Sequence, residues 1–300
     1  MTYAPRDRRS YKGTITNTDR WQHFQSKPGD VFVCTPPKCG TTWTTAIVTM
    51  LLTGRTDVAP QDMVQWVDAE VVPIADMIAG LAAQTHRRCI KTHTPFDGIP
   101  WFTDAAYIAV YRHPIDVLFS LRKHLANAQT TPAEHPYLGT ADAALEHFVS
   151  RAADTGDFDF DCLATMVCHC QSYRARPGPD NLMLLHYADM LADARGTIAR
   201  IAAHIGVAAD PALIDAIHDA SSFGQMKSQA DRFAPFAGQG YWHDAQAFFD
   251  SAGTGKWAGK LDAAALSLYH ATIADLLGPS DVAWLEDGEA GRARTGTARL

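Results

Sequence analysis

The stretch that most restricts how this chain folds is DVFVCTPPKCGTTWTTAIVTMLL, residues 30–52. Val31, Phe32, Val33 and Cys34 form a short apolar run of the kind that makes a buried strand. Pro36, Pro37 and Gly40 then mark a turn, and Trp43, Ile47, Met50 and Leu51 recur behind it at helical spacing. A strand that turns sharply into a helix leaves the first backbone N–H groups of the helix free, and the helix dipole favours negative charge there. Lys38 adds a mobile cation, and Thr41 and Thr42 add hydroxyl donors. The stretch reads as a phosphate cradle, with a purely structural turn as the alternative. It departs from the common nucleotide-triphosphate loop, in which lysine directly follows the last glycine. Here Lys38 precedes Gly40 by two positions. An ATPase or kinase of the usual type is therefore disfavoured, and another kind of phosphorylated ligand is favoured.

Three hundred residues suffice for one large α/β domain with a full core. A net charge of -7 and a pI near 6.0 disfavour nucleic acid as a partner, since binding it non-specifically needs a basic surface. No apolar run approaches a membrane span in length. The basic segment MTYAPRDRRSYKG has no apolar stretch behind it, so no secretory signal is expected. Six scattered cysteines fit a reduced compartment, and a cytoplasmic location is expected.

Further strands are expected at 88–92, 106–111 and 182–187, each followed by a turn. Helices are expected at 74–84, from about 115, and at 142–153, 161–175, about 190–205, 211–220 and 262–277. Residues 55–70 read as loop with short helical pieces, and 228–260 as a glycine- and aromatic-rich loop. This alternation predicts a single P-loop-like α/β domain over 1–300, a central parallel sheet flanked by helices. Residues 1–29 would form an arm packed through Trp21 and Phe24, about 124–160 a lid or insertion, and 279–300 a flexible tail.

In a parallel sheet, ligands bind at the carboxyl ends of the strands, so Lys38, His93 and Arg112 are expected to converge. An imidazole at a strand end suits a general base, with an ordinary loop histidine as the alternative. Arg112, with Ser120 eight residues later, suits a phosphate clamp. Trp43 and Phe223 are candidate stacking surfaces for a purine, or else core. Cys39, beside a helix N-terminus, is a candidate reactive thiol. Cys168, His169 and Cys170 are adjacent on an expected helix, a spacing that spreads the side chains and disfavours a metal.

These motifs together resemble the cytosolic-type sulfotransferases, in a bacterial-like form. PPKCGTTW at 36–43 resembles the family's 5′-phosphosulfate loop, YPKSGTTW, and KTHTP at 91–95 resembles KTHLP, whose histidine is the general base. YIAVYRHPIDVLFS at 107–120 resembles the 3′-phosphate segment, HYAD at 186–189 the family's FYED, and SSF at 221–223 its TSF. The likeness runs from about residue 20 to 265. It implies the sulfotransferase fold and transfer of a sulfuryl group from 3′-phosphoadenosine 5′-phosphosulfate to an alcohol, phenol or amine. No metal is implied. Lys38, Lys91 and His93 would be catalytic. Lys38, Cys39, Gly40, Thr41, Thr42, Trp43, Arg112, Ser120, Tyr187, Ser222, Phe223 and Gly253 would hold the donor, with Trp43 and Phe223 bracketing the adenine.

Three departures stand out. Cys39 replaces the loop serine. The late R-K-G-x-x-G segment appears as SAGTGKW, residues 251–257, which keeps Gly253, lacks the basic pair and offers Lys256 as a substitute. The K-x-x-x-T-V-x-x-x-E dimer signature is absent around 260–270, which leaves the oligomeric state open. Trp66, Val67, Val71, Phe96, Trp101 and the 124–148 segment are expected to wall the acceptor pocket, or else to be core. Their apolar character points to a small hydrophobic alcohol or phenol. The rivals are a non-catalytic nucleotide-binding protein of this fold and a small-molecule kinase.

Overall fold

The computed structural model describes residues 8–175 and 180–295. The chain opens with β1 (Val31–Cys34), α1 (Thr41–Thr53), α2 (Pro60–Met63), β2 (Val64–Gln65), α3 (Ile74–Ala83) and β3 (Cys89–Thr92). Then come β4 (Ala106–Tyr111), α4 (Pro114–Asn127), α5 (Ala141–Ser150), α6 (Leu163–Arg174) and β5 (Leu182–His186). The remainder is helical: α7 (Tyr187–Ala192), α8 (Ala194–His204), α9 (Pro211–Ala220), α10 (Phe223–Ser228), α11 (Ala230–Phe233), α12 (Ala263–Leu276) and α13 (Pro279–Thr295).

The strands form one parallel sheet in the order β2-β3-β1-β4-β5. β1 is central and buried on both faces, which is why it reads as a continuous apolar run. Side chains alternate between two cores with the period of two that a strand requires. Phe32, Cys34, Ile90, Tyr107 and Tyr111 pack with Tyr173 of α6, Tyr269 of α12 and Trp284 of α13. Val31, Val33, Cys89, Ile108 and Val110 pack with Ile47 of α1, Ile198 of α8 and Ile217 of α9. At the amino ends of the strands, Arg88 grips Asp30 through two bonds, of 2.8 and 2.5 Å, in a fully buried pair that ties β3 to β1.

The register fixes the opposite edge. Cys34 lies beside Thr92 and Ala109, so the turns after β1, β3 and β4 leave the sheet at the same end. The chain passes from one half of the sheet to the other across β1 and β4, the switch point where an open parallel sheet has its natural crevice.

Several expectations need correcting. β2 lies within the 55–70 segment expected to be loop and helical pieces, and at two residues it is too short to show an alternation. Residues 279–295, expected to be a flexible tail, form α13, which Trp284 and Leu285 anchor in the core and Gly288 kinks. The 228–260 loop carries α11 and a short 3-10 turn at Gln246–Phe248. In the N-terminal arm, Trp21 and Phe24 are buried against Phe32, as their apolar character suggested. Residues 1–7 of the arm and 296–300 of the tail lie outside the described residues. No helix among those described is long and apolar enough to cross a membrane.

Candidate active site

A cavity of about 620 Å³ opens at the carboxyl edge of the sheet. Lys38, Gly40, Thr41, Thr42, Trp43, Lys91, His93, Arg112, Ser120, Tyr187 and Phe223 all line it. Cys39, Ser222 and Gly253 are not among its lining residues.

The turn after β1 is built for close approach. Gly40 caps α1 at φ 104° and offers no side chain to the first free N–H groups of the helix. A Cβ at Gly40 would stand 3.0 Å from the Tyr187 ring, so glycine is required by both backbone angle and space. Lys38 sits at φ 64°, an uncommon angle for a residue with a side chain. Thr41 and Thr35 share a hydroxyl hydrogen bond of 2.5 Å.

Lys38 Nζ lies 3.0 Å from His124 Nδ1 on α4 and 4.7 Å from the centre of the Phe248 ring. Burial, reinforced by Arg112, pulls its pKa down to about 7. Lys91 projects from β3 and rests 4.0 Å from the centre of the Trp66 ring. Burial lowers it to about 8, with Asp68 opposing.

His93 is held from two sides. Its Nδ1 lies 2.6 Å from the Thr35 carbonyl oxygen, which can only accept, so Nδ1 carries the proton and Nε2 keeps its lone pair. Burial and the neighbouring Lys91 push the ring's pKa down to about 3 and keep it neutral. The flanking Thr92 and Thr94 hydroxyls donate to the buried Asp68 Oδ2 at 2.5 and 2.7 Å, and Trp21 Nε1 of the arm donates to the same oxygen at 3.2 Å. Asp68 thus clamps the turn that carries His93.

Arg112 follows β4 and is buried. One Nη donates to the Gly253 carbonyl at 2.8 Å, the guanidinium lies 4.5 Å from the Tyr187 ring centre, and Nε has no partner. Trp43 Nε1 is likewise buried and unpaired. Unpaired buried donors beside a cavity suit a ligand rich in acceptor oxygens. The segment that lacks the basic pair is tied down differently: buried Asp116 accepts the Gly255 and Lys256 N–H groups at 2.9 and 3.2 Å. Lys256 lines the cavity, with its Nζ on the Ser251 carbonyl and 3.3 Å from Asp250.

Two sequence readings change here. Cys39 is fully buried, and burial drives its thiol up rather than down, so it is not an activated nucleophile. Val67, Phe96 and Trp101 belong to the core and do not line the cavity, whereas Trp66 and Val71 do. Within 124–148 only His124 and Leu125 reach it. Cys168 is exposed while Cys170 is buried and His169 bonds Tyr111, so the three side chains diverge. The sequence reading missed Asp68, Asp159, Asp161 and Trp242, and covered His124 only as part of the 124–148 segment. No local pattern marks them, because each comes from a loop or helix brought in by the fold.

A glycine-turned helix N-terminus, two lysines and a buried arginine meet a neutral histidine at the switch point, an arrangement that suits a phosphorylated ligand. The family model for the sulfotransferase domain matches residues 28–281, and the chain belongs to that family. A glycolipid sulfotransferase of Mycobacterium bovis is 29% identical over 95% of this chain and 96% of its own length. Sulfotransferase 1B1 of Mus musculus is 29% identical over 70% of each chain. Mouse sulfotransferase SULT7A1, solved with PAP, superposes with a TM-score of 0.69 at 18% identity, covering 94% of this chain and 93% of that one. That likeness shows the sulfotransferase fold.

Proposed function

We propose that this sulfotransferase moves a sulfuryl group from 3′-phosphoadenosine 5′-phosphosulfate to a hydroxyl of an acceptor with an apolar body, with His93 as general base. The observation that carries the reading is the convergence of Lys38, Lys91, His93 and Arg112 on one cavity from the ends of three neighbouring strands.

The donor supplies an activated sulfuryl group on a phosphate leaving group. The free N–H groups at the start of α1, with Thr41 and Thr42, suit the 5′ end of that donor, and the unpaired Nε of Arg112, with Ser120, suits its 3′-phosphate. Trp43 and Phe223 offer ring surfaces for the adenine. Lys38 turns from His124 toward the leaving phosphate and stabilises the charge that develops there, and Lys91 holds the transferring group. Nε2 of His93 takes the acceptor's hydroxyl proton. The bond from Nδ1 to Thr35 fixes the tautomer that can do so. The donor's negative charge raises the pKa of His93 from its resting value, which makes it a better base once the site is loaded.

The rest of the cavity belongs to the acceptor. Ile15, Val64, Met77, Val71 and Val72 give it an apolar wall, and Val71 and Val72 are exposed. A small alcohol or phenol is one acceptor that such a wall suits. A longer apolar chain would leave past Val71 and Val72, and the name of the mycobacterial relative, a glycolipid sulfotransferase, favours such an acceptor.

The test is a sulfation assay with this donor and an apolar alcohol, in wild type and His93→Ala. The expected result is a fall in kcat of about 10²–10⁴-fold with bisphosphate affinity retained. An active His93→Ala variant would remove the base from the mechanism. A wild type that binds the bisphosphate but sulfates no alcohol or phenol would favour a non-catalytic nucleotide-binding role.

A further inference from the structure

We infer that Asp161 recognises a second hydroxyl of the acceptor, beside the one presented to His93, so that the acceptor carries a polyhydroxylated head on its apolar body. The inference rests on the acceptor reading given above.

Asp161 borders two spaces. It lines the large cavity, and with His93, Pro36 and Pro37 it also lines a small one of about 20 Å³. A void of that size holds roughly one water, and Asp161 and His93 both border it as well as the large cavity. The neighbouring Asp159 is already committed: its carboxylate accepts the Ile15 and Thr16 N–H groups at 2.5 and 2.9 Å and the Thr16 hydroxyl at 2.5 Å. The backbone carbonyl of Asp161 takes the Tyr137 hydroxyl, but among the described residues no hydrogen bond reaches its carboxyl.

A carboxyl with unused hydrogen-bonding capacity in the cavity that also holds His93 has three candidate guests: an ammonium, a second hydroxyl, or nothing specific. Lys38 and Lys91 line the same large cavity, and Lys38 is near enough to Asp161 to oppose the rise of its pKa, so an ammonium placed there would meet cationic charge. A neutral hydroxyl meets no such repulsion and offers the carboxyl a donor. Burial, with Asp159 adding to it, raises the Asp161 carboxyl to about 7, where its protonated form donates as well as accepts. At pH 8, where the comparison below is made, the ionised form predominates and accepts a charge-assisted hydrogen bond from a hydroxyl, which an amide in its place does not supply.

The experiment compares kcat/KM for octyl glucoside, 1-octanol and octylamine in the full chain, for wild type and Asp161→Asn. Binding of the bisphosphate product by each protein serves as the check of folding. Wild type is expected to prefer the glucoside, and Asp161→Asn to lower the glucoside-to-octanol ratio about tenfold, carried by KM, as loss of a charge-assisted hydrogen bond should. A ratio unchanged by Asp161→Asn overturns the inference, as does a loss confined to octylamine. The wild-type comparison needs no variant: a wild type that sulfates octanol in preference to the glucoside overturns the inference while the proposed function stands. A wild type that sulfates none of the three contradicts the acceptor reading itself, and the inference falls with it.

Discussion

Lys38 is held by contacts that donor binding must exchange. In the free protein it is half-buried against His124 and Phe248, with Arg112 and Lys256 raising the cost of its charge and Asp161 and Asp250 lowering it. With a pKa of about 7, it is mostly neutral at pH 8 and mostly charged at pH 6. Phosphate oxygens favour the charged form and raise the pKa, so binding at pH 8 takes up a proton and binding at pH 6 takes up little at Lys38. By linkage, bisphosphate affinity falls as pH rises above 7. Calorimetry in two buffers of different ionisation heat should show net uptake at pH 8 that is smaller in Lys38→Gln. Equal heats in the two buffers at pH 8 would contradict this account of the lysine. His124 does not compete for the proton, since burial beside Lys38 holds its pKa near about 2.

At the scale of elements, legibility follows the range of the contacts. β1, β3, β4 and α1 could be read because their apolar periodicity and turns are local, and the parallel sheet then places Lys38, His93 and Arg112 at one edge. Asp68 could not be read. It lies 24 residues from Thr92 and 26 from Thr94, in a segment with no period, and only the fold makes it the clamp beneath His93. α13 was misread for a different reason. Its GEAGRART stretch, residues 288–295, is polar and glycine-rich, yet Trp284 at its start carries the packing. That indole meets the rings of Tyr111 and His186, the last residues of β4 and β5, at 5.7 and 5.8 Å. Trp284→Ala should therefore cost about 3–5 kcal/mol of stability. A denaturant midpoint shifted at constant slope would confirm this. A midpoint within error of wild type would return α13 to the role of a tail.

Across the whole molecule, one sheet edge organises the function. Three strand ends bring cations and a neutral base to a single cavity, and Arg88–Asp30 fixes two of those strands at the other edge. Of the residues proposed to hold the donor, Lys38, Gly40 and Arg112 were the more legible, because they sit in turns that directly follow strands. The acceptor half was less so. Its walls come from segments as far apart as Ile15, Met77, Phe158 and Trp242, and two aromatic residues expected to wall it, Phe96 and Trp101, pack in or against the core instead. The loss of the basic pair at Ser251 and Ala252 is the sharpest challenge to the donor reading, since Arg112 and the engaged Lys256 are left to hold the 3′-phosphate. The most direct measurement is a calorimetric titration with 3′-phosphoadenosine 5′-phosphate, set beside ATP, on wild type and Arg112→Ala. The account expects clear binding of the bisphosphate, weak binding of ATP, and loss of bisphosphate binding in the variant. A wild type that fails to bind the bisphosphate, or an Arg112→Ala that binds it unchanged, would contradict it.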